Sequence, residues 1–225
     1  MPDFGKNWRP SRSVEASAKF AERLDELRSM LRFLDPALVA ARCGASYLML
    51  GPGRGELHVP LWGTVCILTW PELLGYDSRA EHLHDFQLAV LLYHLLAADG
   101  TPVSGKWVSF ADLPDGRMYS TAFQGYSGDE VATVFGLDLV SFRSACQLAG
   151  GMEMGFSSAS FAFQPLLRVP LLVTYWLGDE DFPSSCKVLF DESAGHYLPI
   201  DACAILGSML ARKLISSATR KEALS

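Results

Sequence analysis

The sequence has no excess of positive charge, no long apolar run and no closely spaced cysteine pair, and each absence removes a class of protein. Nineteen Lys and Arg against 25 Asp and Glu leave a formal net charge of -6, which offers no basic field to a phosphate backbone and argues against a nucleic-acid partner. No apolar run approaches the roughly 20 residues that span a bilayer, and residues 1–10 lack the continuous apolar core of a signal peptide. A cytoplasmic protein with no membrane partner is therefore expected. Cys43, Cys66, Cys146, Cys186 and Cys203 are odd in number, dispersed and without a C-x-x-C pair, which argues against a disulfide framework and against a compact zinc or iron-sulfur site. Reduced, buried thiols and no bound metal are expected. The chain also lacks G-x-S-x-G, H-E-x-x-H, a dinucleotide fingerprint and G-x-x-x-x-G-K-[ST]. The glycines of GPGRG at 51–55 precede no helix that would present its positive end to an anion, so they read as a hairpin turn.

What is present is ample core material: 49% apolar and 20% charged residues in a chain of 225, without a linker, suit a single domain. Phe20, Leu24, Leu27, Leu31 and Leu34 recur at helical spacing. Asp35-Pro36 ends that helix and starts another, capped by Asp35, that closes near Gly44. The short β-prone runs of 45–70 predict a three-stranded meander, and 78–98 a helix apolar nearly all round. On it, His84, Gln87, Leu91 and His94 form a narrow polar stripe. The two histidines lie about 15 Å apart, too far to share one metal ion, and read as satisfied core or boundary residues. A strand is expected at 106–110, and 118–123 is expected to continue the sheet. Ser127 with Glu130 forms a capping-box pattern, Asp138 caps the next helix, and Gly150-Gly151 ends it. A further strand is expected at 160–164. LLVTYW at 171–176 has the pattern of a central strand covered on both sides, and 186–190 returns antiparallel to it. Pro199 opens the last helix, whose buried face carries Ile200, Cys203, Gly207, Leu210 and Leu214, before a polar tail that frays. The expected class is α+β: a single domain with a largely antiparallel sheet packed by amphipathic and buried helices.

Two acidic turns flank this hairpin. Asp179, Glu180 and Asp181 sit in the loop 178–185, while Asp191 and His196 follow the return strand. Simple alternation places them near opposite ends, so convergence requires bending or loop reach. Carboxylates there suit a cation or proton transfer, but Gly and Asp also form turns on local backbone grounds alone. The expected ligand-binding set is Asp179, Glu180, Asp191, His196, Trp107 and Lys106 around one shared polar pocket, with Lys106, Lys187 and His196 as charge partners for the acids. A hydrolase triad drawn from Ser193 or Ser185 with His196 and Asp191 is a minor alternative, because nearness in sequence does not make a triad. No catalytic residue and no cofactor is assigned.

The segments GKWVSF at 105–110, WLGDEDFP at 176–183 and LFD at 189–191 followed by HYL at 196–198 give the chain a resemblance to the family called domain of unknown function 3786. The resemblance covers most of the chain after Asp35. It divides the domain into an N-terminal helix over 1–34, a family body over 35–216 and a tail over 217–225, and it brings no activity with it. It implies an association with anaerobic bacteria and archaea, where some relatives carry an added cysteine-rich iron-sulfur segment that this sequence lacks. Two functions are thus in contention. One is a small-molecule or cofactor-binding domain, with Trp107, Tyr175, Trp176 and Tyr197 as apolar walls. The other is a non-catalytic interaction module serving a redox or methyl-transfer protein, such as one of a corrinoid pathway, in anaerobic metabolism.

Overall fold

The apolar run that reads as a central strand is one: in β8 (Val169–Trp176) every residue but Trp176 is buried. It pairs antiparallel with β7 (Ala159–Leu166) and with β9 (Ser185–Asp191), and the sheet is completed by β5 (Trp107–Ser109) beside β9 and β6 (Met152–Met154) beside β7. β9 shows the period of two expected of a half-covered strand: Cys186, Val188 and Phe190 are buried while Lys187 faces solvent. The computed structural model describes residues 14–222. The parts of the N-terminal helix, leader and tail expectations that fall on 1–13 and 223–225 lie outside the described residues.

The strands form two sheets rather than one. The meander β1 (Ser46–Gly51), β2 (Arg54–Leu61) and β3 (Thr64–Trp70), joined by the short β4 (Gly75–Tyr76), makes a second antiparallel sheet. Its first turn is the predicted one, with Gly51 paired to Arg54 across Pro52 and Gly53, where a φ of 68° favours glycine. The Trp62 amide donates to the Pro165 carbonyl at 2.8 Å, tying the β2–β3 turn to β7 of the larger sheet.

Helices α1 (Val14–Leu31), α2 (Pro36–Cys43) and α7 (Ile200–Glu222) pack around α3 (Asp85–Ala97), whose residues from Leu88 to Leu95 are all buried. Asp35 caps α2 as expected, accepting from the Ala37 and Leu38 amides. α3 begins at Asp85, later than the apolar pattern suggests, because Asp77 accepts the Arg79 and Glu81 amides at 2.8 and 3.0 Å and holds the preceding segment as a turn. α7 runs past the point where fraying was expected, to Glu222.

The expected strand at 118–123 is instead helical: a 3-10 turn (Gly116–Tyr119) leads into α4 (Ser120–Tyr126). The helix wins because it buries Phe123, which stacks on Phe110 with centroids 4.2 Å apart and planes 11° from parallel. Ser127 does not cap α5 (Gly128–Phe135); its hydroxyl donates back to the Phe123 carbonyl at 2.5 Å. Asp138 does cap α6 (Leu139–Leu148), through the Ser141 amide. α5 and α6 close over the sheet, with Phe142 against Tyr175 at 4.4 Å.

Two glycines separate close packing from mere helix weakness. A Cβ on Gly128 would sit 2.1 Å from the Cys186 carbonyl oxygen of β9, whereas one on Gly125 of α4 meets nothing within 4 Å. Gly128→Ala is expected to cost about 1–3 kcal/mol and Gly125→Ala to gain up to about 1 kcal/mol. Urea unfolding of the two variants beside the wild type checks both signs.

Candidate functional site

The register of the β8–β9 hairpin decides which of the sequence-predicted residues meet. Trp176 pairs with Ser185 at the loop end and Leu171 with Phe190 at the other, so the length of β9 separates the two acidic turns by about 20 Å. Asp191 lies opposite Trp107 in the β5–β9 ladder, and Lys106 Nζ reaches Glu192 at 2.7 Å. Lys106, Trp107, Asp191 and His196 therefore share one end of the hairpin. Asp179 and Glu180 lie at the other, which corrects the expectation of one pocket bordered by all six: a continuous ladder holds the turns apart and neither loop bridges it.

At the first end the polar groups are consumed by the fold. Asp191 is fully buried and accepts five hydrogen bonds, from the Ser104 amide (3.0 Å) and hydroxyl (3.0 Å), the Gly105 amide (2.7 Å), and the Ser193 amide (2.9 Å) and hydroxyl (2.6 Å). Burial opposes its ionisation, but the hydrogen bonds outweigh burial and hold its pKa below the ordinary carboxylate value. His196 Nδ1 sits 2.7 Å from Asp99 Oδ2 and 3.3 Å from the Thr101 hydroxyl, with the His196 and Asp99 side chains each half exposed. The Tyr197 hydroxyl donates to the Thr101 carbonyl, and Arg168 to the Gly100 carbonyl at 2.8 Å. The set laces the connection between α3 and β5 to the turn after β9 and, through Arg168, to the β7–β8 turn. Ser193 serves Asp191, His196 serves Asp99, and Ser185 is at the far end, so the triad does not assemble.

At the loop end, Asp179 Oδ1 accepts the Asp181 and Phe182 amides at 3.0 and 2.8 Å and Glu180 is exposed. Asp179 thus acts as a turn former. Its loop, with Asp129 and Thr133 of α5, borders an open surface depression. Among the described residues no group of three or more His, Cys, Asp or Glu is arranged to hold a metal ion, and the five cysteines are buried free thiols.

A different cleft has the makings of a ligand site. It lies where α1, α3, α4 and α7 converge beside the 3-10 segments, and Phe20, Tyr93, Phe110, Tyr119, Tyr126 and Ile205 form its apolar walls. Its space of about 600 Å³ opens to solvent, and only about 40 Å³ of it admits the centre of a water molecule, so the cleft is a narrow slot. Two charged side chains reach it. Arg23 donates to the Tyr93 hydroxyl at 2.9 Å and to Glu26 at 2.8 Å. Asp201, in the first turn of α7, is exposed to solvent, yet desolvation by the apolar wall raises its pKa against the opposing influence of Arg23. Burial first, and then the Asp201 charge, push the Tyr126 phenol up to about 12. None of the lining residues belongs to the set expected from sequence. The available signal was the spacing of Tyr119, Phe123 and Tyr126, which is that of a helix rather than a strand.

One buried histidine also departs from expectation. His94 is fully buried, but neither ring nitrogen has a hydrogen-bond partner among the described residues. It packs beside the Tyr197 ring at 5.7 Å, and its backbone carbonyl lies 3.9 Å from the Cys43 thiol. Burial lowers its pKa to about 4, and the charge of Arg168 adds to that shift against the backbone groups of Tyr197 and Cys43.

The architecture and these sites define a two-sheet α+β domain with an aromatic slot and, among the described residues, no metal-holding cluster. The family model described as "Domain of unknown function (DUF3786)" matches residues 35–213, and the chain belongs to that family. No curated protein and no solved structure matches it.

Two acid responses should separate by pH. The unfolded chain protonates His94 near its ordinary value of 6.5 while the folded chain resists until about 4, so stability is full above pH 6.5 and falls by about 3 kcal/mol on the way to pH 4. His94→Leu should flatten that interval in urea titrations. Asp191 has a lowered pKa in the fold, so its contribution is present above the unfolded value of about 4 and is lost as pH drops further. Asp191→Asn, which turns an amide against five donors, should cost about 3 kcal/mol at pH 7.

Proposed function

We propose that this is a cytoplasmic domain that binds a small molecule, and that the ligand is slim, flat and largely apolar, seated in the slot between α1, α3, α4 and α7. The observation that carries the reading is the composition of that slot: aromatic walls with a very small number of polar groups at the opening, the usual make-up of a small-molecule site. The hairpin ends are weaker seats, since Asp191, His196 and Asp179 already spend their polar atoms on neighbouring backbone and side chains. Unpaired, buried thiols suit a reducing compartment.

A second reading, a non-catalytic module for a redox or corrinoid-pathway protein in anaerobic metabolism, is favoured by β1. This edge strand has no charged residue, and its Leu48, Met49 and Leu50 are exposed, whereas edge strands are ordinarily guarded by charge or proline.

Ligand-observed NMR with a set of flat aromatic fragments distinguishes the two. Binding should occur in the wild type, vanish in Ala204→Phe, which fills the slot from α7, and persist in Met49→Lys, which charges β1. Fragments that bind Ala204→Phe as well as wild type, with the variant's circular dichroism unchanged, would sink the small-molecule reading.

A further inference from the structure

The charges at the slot are not balanced, and the imbalance selects a ligand. Arg23 is the cation among the lining residues, and it is already answered: Glu26 lies 2.8 Å from one guanidinium nitrogen and the Tyr93 hydroxyl 2.9 Å from another. Asp201 is the lining carboxylate, and among the described residues it has no hydrogen bond or ion pair. Asp201 is thus left without a direct partner at the mouth of the slot, one side open to solvent and the other against apolar walls, and Arg23 acts on its charge without reaching ion-pair distance, so a cation seated on the walled side has a carboxylate to meet. Phe20, Tyr119 and Tyr126 line the same slot. Aromatic faces attract cations through their quadrupoles, so walls and carboxylate favour the same sign of charge.

Resting on the small-molecule reading above, we propose that the ligand class is a planar aromatic cation, such as an amidinium or a protonated ring nitrogen, whose positive end meets the Asp201 carboxylate while its ring lies among Phe20, Tyr119 and Tyr126. An aromatic anion meets Asp201 unfavourably and finds Arg23 already paired. A neutral analogue of the same shape keeps the ring contacts and loses the charge contact. The Tyr126 phenol stays protonated at pH 7, so it adds no second anion.

Benzamidine, benzamide and benzoate share one shape and differ in charge, which makes them the probes. Titrations by protein-observed NMR at millimolar concentration should give benzamidine binding about ten-fold tighter than benzamide, with benzoate weakest. In Asp201→Asn the three should converge to within about two-fold, and in Ala204→Phe all should be lost. Acidification of the wild type provides a check that needs no variant. Benzamidine should weaken as Asp201 takes up its proton, with Arg23 of α1, Tyr93 of α3, Tyr119 of the 3-10 turn and Tyr126 of α4 as the other titratable groups lining the slot, while benzamide should not respond. Benzamide binding as tightly as benzamidine, or a preference that survives Asp201→Asn, overturns the cation assignment and leaves the slot reading standing. If neither these probes nor the flat aromatic fragments bind, both fall.

Discussion

The buried carboxylate of Asp191 is the constraint on which the arrangement of this domain turns. It stands at the end of β9, the strand that pairs with both β5 and β8, and gathers donors from two segments: Ser104 and Gly105, 87 and 86 residues before it, and Ser193, two residues after it. An ionised group out of contact with water is tolerated only when its hydrogen-bonding capacity is met. Here the five donors come from the loop before β5 and the turn after β9. Loop, turn and strand end therefore have to form together, and the alternative of a loosely attached loop leaves a carboxylate without solvent or partners.

That closure also fixes the slot. The laced loop runs directly into β5, Phe110 follows β5, and its ring stacks on Phe123 of α4, whose last residue Tyr126 lines the slot. On the other side of the seam, the turn after β9 leads through Tyr197 to α7 and places Ile200 and Asp201 at the opposite wall. Two walls of one cleft thus descend from the two segments that Asp191 joins. Polar residues conspicuous in the sequence act as scaffolding, and the less conspicuous aromatics line the cleft.

Much of the fold is legible in the sequence because the relevant signals are local and apolar. The α+β class, the β8–β9 hairpin, the 46–70 meander, the Asp35 and Asp138 caps and the buried α3 all follow from periodicity and turn chemistry. The segment 118–123 did not, since aromatic residues serve strand and helix alike and the deciding stack on Phe110 is a tertiary contact. The same cause hid the candidate site. Asp201 stands one position off the apolar stripe of α7, and Arg23 reads as one more surface charge on α1; only the meeting of four helices gives either an apolar setting. The acids of the hairpin drew attention by density in sequence, but their hydrogen bonds are local, or run to a loop whose role no spacing announces.

The family-matched span begins at residue 35, after α1 has ended at Leu31. Yet α1 contributes Phe20 and Arg23 to the slot, while Tyr93, Tyr126 and Asp201 come from within the span. The cleft is therefore a composite of residues inside and outside the matched span. Leu24, Leu27 and Leu31 of α1 are themselves buried in the core, so one helix is bound to two duties at once: its inner stripe holds the fold while Phe20 and Arg23, on the turn before, frame the opening, and any change to the frame has to leave the stripe intact.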